Sequence, residues 1–277
     1  MSIEHTRDSR QWRLICDPPL LGACNMAIDD AILSSVASGE SIPTLRFYAW
    51  SRPTLSLGYG QRTRPVDFAR LAAHNMQLVR RPTGGRAILH IDELTYSLTL
   101  PITHPLARGS VVESYQHISQ GLLLGLCSLG AHVAAERAAA TDTVPSPVCF
   151  DTPSHYEIAV EGRKLVGSAQ VRRHEGILQH GSLPLCGDIA RICDALTYPD
   201  EAAREAAKAE VRDLATTLEQ ALGKVVDWQV AADAIANGFS EAFGISLMPC
   251  DLSEKERITA AQLEKEVYGS DTWTLRR

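Results

Sequence analysis

The apolar and polar positions of this chain alternate in short strand-like runs, interrupted by a few helical stripes. Trp12 to Cys16 is a short β-prone run. From Gly22 to Gly39, Ala27, Ile28, Ala31, Ile32 and Val36 recur at helical spacing, which predicts a helix ending at Gly39. Thr44 to Trp50 and Thr54 to Tyr59 read as strands parted by Ser51-Arg52-Pro53. Pro65 opens a predicted helix through Asn75, with Phe68 and Leu71 turned inward. Strands follow at Gln77 to Arg81, Arg86 to His90 and Glu93 to Leu100, the first two joined by a turn at Pro82 to Gly85. Val111, Tyr115, Ile118, Leu122, Leu126 and Leu129 then form a helical stripe that predicts packing on a sheet.

The next alternating stretch, Tyr156 to Val171, predicts a hairpin turning at Glu161-Gly162. Strict alternation puts Lys164, Val166, Ser168 and Gln170 on one face and Leu165, Ala169 and Val171 on the other. Gly176 to Leu185 adds a strand. Helices are then predicted at about 188–196, 200–221, 228–243 and 253–268, with a short strand at Ile245 to Met248. The order predicts an α+β fold of mixed, largely antiparallel sheets with helices gathered on one side. Residues 1–277 are expected to form a single domain with a helical C-terminal tail from about 250 to 277, because no repeat or low-complexity linker divides them.

Composition is that of an ordinary water-soluble protein: 45% hydrophobic, 22% charged and a net charge of −6. No apolar run is long enough to cross a membrane, and the polar start lacks a signal-peptide core, so a cytoplasmic enzyme is expected. The seven cysteines show neither a CxxC pair nor a metal-ligand spacing, so reduced thiols are expected and neither metal nor cofactor is. Charge is uneven. Arg46 to Arg86 holds eight arginines and one acid, Asp67, while Pro199 onward holds fifteen acids and nine bases. The arginine-rich segment predicts a surface for an anionic partner, with Arg62 and Arg64 contributing. The acidic total and the lack of a groove-binding motif exclude nucleic acid.

Two stretches carry candidate chemistry. In the first, Arg80-Arg81-Pro82-Thr83-Gly84-Gly85-Arg86, paired glycines between strands expose backbone N–H groups, and the arginines can hold an anion. The same residues fit a plain hairpin turn with surface arginines. In the second, Cys149 follows Pro145 and Pro147 in a non-helical lead-in, and Lys164 sits just past the hairpin turn. A loop nucleophile beside a strand-borne lysine suits acyl transfer. A buried structural thiol and a solvated lysine are the bland alternatives.

RRPTGGRAILH…ELTYS, CFDTPSHYEI, GRKLVGSAQ and ILQHGS, in this order after NMAIDDAIL, resemble the lipoate-protein ligase A and biotin ligase superfamily over most of residues 10–190. The nearest branch is that of the cysteine-dependent octanoyltransferases. Arg86 stands where the ATP-dependent ligases carry a third glycine, and those ligases need no cysteine at position 149. The resemblance implies that Cys149 takes an octanoyl group from acyl carrier protein and passes it to a lysine of a lipoyl domain, such as glycine cleavage H protein. It gives Lys164 an acid/base and orienting role. It assigns Arg80, Arg81, Thr83, Gly84, Gly85, His90, Gly167, Ser168, Gln170, His180 and Gly181 to substrate binding. Competing expectations are an ATP-dependent lipoate ligase, a lipoyl-domain amidotransferase and a non-catalytic acyl-carrier or lipoyl-domain binding module.

Overall fold

A computed structural model of the chain describes residues 10–136, 157–173 and 175–277. Its strands are β1 (Gln11–Cys16), β2 (Thr44–Tyr48), β3 (Thr54–Leu57), β4 (Gln77–Arg80), β5 (Ile88–His90) and β6 (Glu93–Pro101), followed by β7 (Ala134–Glu136), β8 (Glu157–Val160), β9 (Arg163–Arg173), β10 (Gly176–Pro184) and β11 (Ser246–Pro249). The helices are α1 (Gly22–Ala37), α2 (Phe68–Ala73), α3 (Val111–Ser128), α4 (Glu201–Leu214), α5 (Leu218–Leu222), α6 (Trp228–Phe243), α7 (Glu254–Leu263) and α8 (Asp271–Thr274). Eight strands form one sheet in the order β11-β1-β2-β6-β10-β9-β8-β7, and β4-β3-β5 form a smaller one. Among the described residues of the large sheet only the β1 pairings with β2 and β11 are parallel, so the expected mixed, largely antiparallel α+β fold is what the chain adopts.

The helices cover both faces of the large sheet, against the expectation of one side. Leu45, Phe47, Leu94, Tyr96 and Leu98 point toward α3 and α6, where Ile118, Leu122, Ile235 and Phe239 complete the main core. These two helices cross closely, since a Cβ on Gly125 would lie 2.7 Å from the Ala234 carbonyl oxygen. The alternate residues of β1 and β2 turn the other way. Ile15 packs with Ile28 and Ile32 of α1 and Ala260 of α7, and Tyr48 packs with Met26 and Val79. Helix α1 thus lies between the two sheets.

Three local expectations change for physical reasons. Asp67 caps α2 by accepting from the Arg70 amide, which fixes the helix start and leaves Phe68 51% exposed while Leu71 is buried. The helix expected over 188–196 is a 3-10 helix, Ile189–Ala195. The helix expected over 200–221 breaks into α4 and α5, because Ala215 is extended and the Thr216 amide donates to the Lys164 carbonyl at 2.9 Å. After α7, Glu264–Tyr268 continues as a π-helical turn, and the Tyr268 hydroxyl donates to Asp30 at 2.8 Å.

Candidate active site

Sheet register places the site. Across β2, β6, β10 and β9, Arg46, Ser97, His180 and Ala169 are aligned in one row, and Tyr48, Thr95, Ser182 and Gly167 in the next. Side chains of one row share a face. Here that face is turned toward α1 and the small sheet, and Met26, Trp50, Arg81, Ile88 and His90 join members of both rows around a part-enclosed cavity of about 300 Å³.

Asp29, in the middle of α1, is fully buried beneath this cavity. It accepts from Arg46 Nη1 at 2.7 Å, Ser97 Oγ at 2.8 Å, the Tyr48 hydroxyl at 2.9 Å and His180 Nδ1 at 3.2 Å. Burial pushes the Asp29 carboxyl up, but Arg46 and the hydrogen bonds from His180 and Ser97 outweigh it and hold the group below its usual range. Burial also pushes the His180 imidazole down, and Asp29 opposes this only in part, so the ring is neutral at neutral pH. A carboxylate can only accept, so the His180 proton sits on Nδ1. Nε2 is then an acceptor, and the Thr83 hydroxyl donates to it at 2.7 Å. Asp29, His180 and Thr83 form one relay from α1 to the Gly-Gly loop.

A second relay runs beside it. Glu93 accepts from His90 Nδ1 at 2.8 Å, from Trp50 Nε1 at 3.1 Å and from the hydroxyls of Thr95 and Ser182. Burial raises the Glu93 carboxyl, yet His90 and the two hydroxyls bring it below the ordinary glutamate value. His90 Nε2 reaches Ser56 Oγ at 2.8 Å, and the Trp50 ring stacks on His90 with centroids 4.0 Å apart. Both relays fix ring orientation and tautomer, as buried polar networks do when every member is bonded.

The arginines of the loop do not form the expected anion surface. Arg46 and Arg80 are 0% exposed and Arg81 is 3% exposed. Arg80 donates to the carbonyls of Gly58, Gln61 and Thr274 at 2.6–3.1 Å, which ties the loop at 58–61 to α8. Arg81 donates to Ser56 and to the carbonyls of Gly84 and Arg86. Gly84 is exposed, and Gly85 adopts a φ of 91° that favours glycine. Gly58 must be small as well, because a Cβ there would meet the Gly85 carbonyl at 1.9 Å.

Lys164 reaches this face by a route that strict alternation misses. Val166 pairs with Ile158, but Lys164 pairs with Ala159, so β9 carries one extra residue, Leu165, at a bulge. The extra residue moves Lys164 from the face of Val166, Ser168 and Gln170 to that of Gly167. A Cβ on Gly167 would lie 3.5 Å from Lys164 Cε. Lys164 is buried, and its Nζ pairs with Glu157 at 2.5 Å. The sequence reading missed Glu157, as it did Asp29 and Glu93. Ser168 and Gln170 face the other way. Ser168 bonds the Tyr96 hydroxyl at 2.8 Å, and Gln170 donates to Gln179 and to Ser114 of α3. Gly181 packs against that pair, where a Cβ would meet Ser168 Oγ and Tyr96 Cε1 at 2.6 Å. Cys149 lies outside the described residues.

The two sheets thus enclose α1 and leave a cavity behind the Gly-Gly loop. Residues 22–240 match the family described as lipoyl protein ligase A/B catalytic domain, and the chain belongs to that family. Among its relatives is the octanoyltransferase LipM of Kyrpidia tusciae, 43% identical over 96% of this chain and 99% of the relative. The octanoyltransferase LipM of Carboxydothermus hydrogenoformans is 41% identical over 96% and 98%. Among solved structures, the bi-partite lipoate protein ligase of Thermoplasma acidophilum superposes with a TM-score of 0.80 at 22% identity, over 96% of each chain. A lipoate-protein ligase A bound with ATP gives 0.79 at 21%, over 96% and 98%. At such identities these two structures share the fold.

Proposed function

We infer that this chain is an octanoyltransferase of lipoate biosynthesis, an acyltransferase that carries an octanoyl group from a donor to a lipoyl-domain acceptor. Relatives named for that activity match it over nearly its full length at 38–43% identity. Within this activity we assign octanoyl-acyl carrier protein as donor and a lipoyl-domain lysine, such as that of glycine cleavage H protein, as acceptor. The Cys149 thiolate attacks the donor thioester, and the carrier leaves as its thiolate. The neutral acceptor amine then attacks the Cys149 thioester, an amide forms, and Cys149 leaves as the thiol with the proton that the nitrogen gives up. Exchange between thioesters is nearly balanced and the amide step is downhill, so the sequence needs no ATP. Cysteine suits the first step because part of it is thiolate near neutral pH.

The observation that carries the residue assignment is the β9 bulge, which turns Lys164 onto the face that lines the cavity. From there its ammonium can orient the thioester carbonyl, with Glu157 holding the side chain in place. His180 and Thr83 set the loop wall, and Arg81 braces Gly84. The docking assignment rests on exposed arginines: the Thr63 amide and hydroxyl both donate to the Arg277 backbone oxygen, at 2.9 and 2.7 Å, which gathers the exposed Arg62, Arg64 and Arg277 at one edge. Such a cluster suits an acidic carrier.

The test is intact mass after mixing the protein with octanoyl carrier protein in the absence of ATP. One octanoyl adduct, mapped to Cys149 and lost in Cys149→Ala together with transfer, is expected. Full transfer by Cys149→Ala would remove the thioester route. Octanoyl adenylate formed from octanoate and ATP would instead make the chain a ligase.

A further inference from the structure

Gly167 sits in mid-β9 with no left-handed φ, and among the described residues a Cβ built on it makes only ordinary contacts, 3.5 Å from Lys164 Cε and 3.9 Å from Ile88 Cδ1. Among the described residues, nothing in the backbone or the packing requires glycine there. Gly181, on the neighbouring strand, is the contrast. Its Cβ would meet Ser168, Tyr96 and the Gly167 carbonyl at 2.6–2.8 Å, so the fold requires that glycine. Glycine inside a strand gives up stability relative to alanine, and where packing does not demand it, it marks close approach of a ligand or another chain. Gly167 and Ile88 both line the cavity, and Lys164 stands at the same spot.

We propose that Gly167 is a specificity-determining residue, whose missing side chain leaves a seat for one methylene of the acyl chain next to its carbonyl. The proposal rests on the octanoyltransferase reading and deepens it. Carbon atoms attract best at about 3.5–4.0 Å. A methylene placed where the Cβ would be lies at 3.5 and 3.9 Å from its two walls, within that range. Lys164 is the group that the reaction sets beside the thioester, so the seat holds the carbonyl end of the chain and not its tail. One carbon fills it. A branch at that level puts a second carbon against the same walls, so the seat selects straight chains.

A Cβ at position 167 meets no close contact among the described residues, so Gly167→Ala is expected to fill the seat and keep the fold. The rate of acyl-enzyme formation is measured with hexanoyl, octanoyl and decanoyl carrier protein, together with octanoate binding by calorimetry and the Tm. A methylene in a tight site commonly changes specificity about tenfold to a hundredfold. The variant is expected to lose that factor equally for all three chains and in octanoate binding, with Tm unchanged or raised. The unaltered protein is expected to discriminate by a similar factor against a 2-methyloctanoyl donor. Acylation and binding at the original level in Gly167→Ala would overturn the proposal. So would a loss confined to the longer chains, which would put the residue at the tail, or a loss accompanied by a fall in Tm. If the unaltered protein forms no acyl-enzyme, yet octanoate binds and Gly167→Ala weakens it, the seat stands and the transferase reading falls.

Discussion

Asp29→Asn preserves side-chain shape and removes the charge under the cavity, so it measures what that carboxylate does. Four donors converge on Asp29, and an amide would accept through one oxygen while turning its NH2 on a donor. Arg46 would keep its bond from Nε to Asp17 at 2.6 Å and lose the salt bridge from Nη1. Removing one partner of a buried pair costs about 3–5 kcal/mol. The surviving Asp17 contact puts this case near ~3 kcal/mol. At roughly 2.1 cal/mol/K of unfolding entropy per residue, a chain of 277 residues converts that into a Tm loss of about 5 °C. The pH sign follows from the depressed carboxyl of Asp29. Its stabilisation is complete above the unfolded value of about 3.9 and is lost as pH falls through the folded value. The stability gap between the original protein and Asp29→Asn should therefore narrow from pH 5 to pH 3.5. Urea unfolding followed by circular dichroism reads both quantities. A gap under about 1 kcal/mol at pH 7, or one that does not narrow in acid, would refute the reasoning.

Gly181→Ala forces a Cβ against the backbone of β9 and the Tyr96 ring, so a loss of about 1–3 kcal/mol in urea unfolding is expected. No loss would show that the strands separate freely there. The lowered pKa of His180 means that the unfolded chain takes up a proton near pH 6.5 before the folded one does. Stability should therefore fall as pH drops below about 6.5, and His180→Gln should flatten that slope; an unchanged slope would assign it to another group. Arg62→Glu combined with Arg64→Glu should raise the KM for carrier protein and weaken its salt dependence, because exposed charges are screened beyond about 8–10 Å. A KM that ignores both salt and charge reversal would remove the docking edge.

The fold was legible where side chains declare their face. The alternation in Glu93–Pro101 and Gly176–Pro184 and the stripe in Val111–Ser128 became the strands and helix they resemble. The RRPTGG turn was legible as a loop between strands, but the fate of its arginines was not. A guanidinium inside a protein and one in solvent look alike in sequence, and only the converging carbonyls of Gly58, Gln61 and Thr274 make Arg80 a buried clamp. Nothing in the sequence around Asp29 and Asp30 announces that they are buried. They are buried because α1 has the large sheet on one side and the π-turn with Tyr268 on another. The bulge at Leu165 was illegible in principle, since one extra residue in a strand leaves the composition untouched and reverses the face of what precedes it. The break between α4 and α5 belongs to the same cause, because the Lys164 carbonyl captures the Thr216 amide.

The Arg80 clamp also imposes an order on synthesis. Its guanidinium closes on the Thr274 carbonyl, 194 positions further along. A chain growing from the ribosome makes both strands that flank the Gly-Gly loop early, yet the clamp on the Gly58 and Gln61 carbonyls lacks its far jaw until residue 274 emerges. At about 5–20 residues per second, the clamp stays incomplete for roughly ten seconds or more. Until then the loop wall of the cavity is unfinished, so the cavity is completed only after α8 has been made.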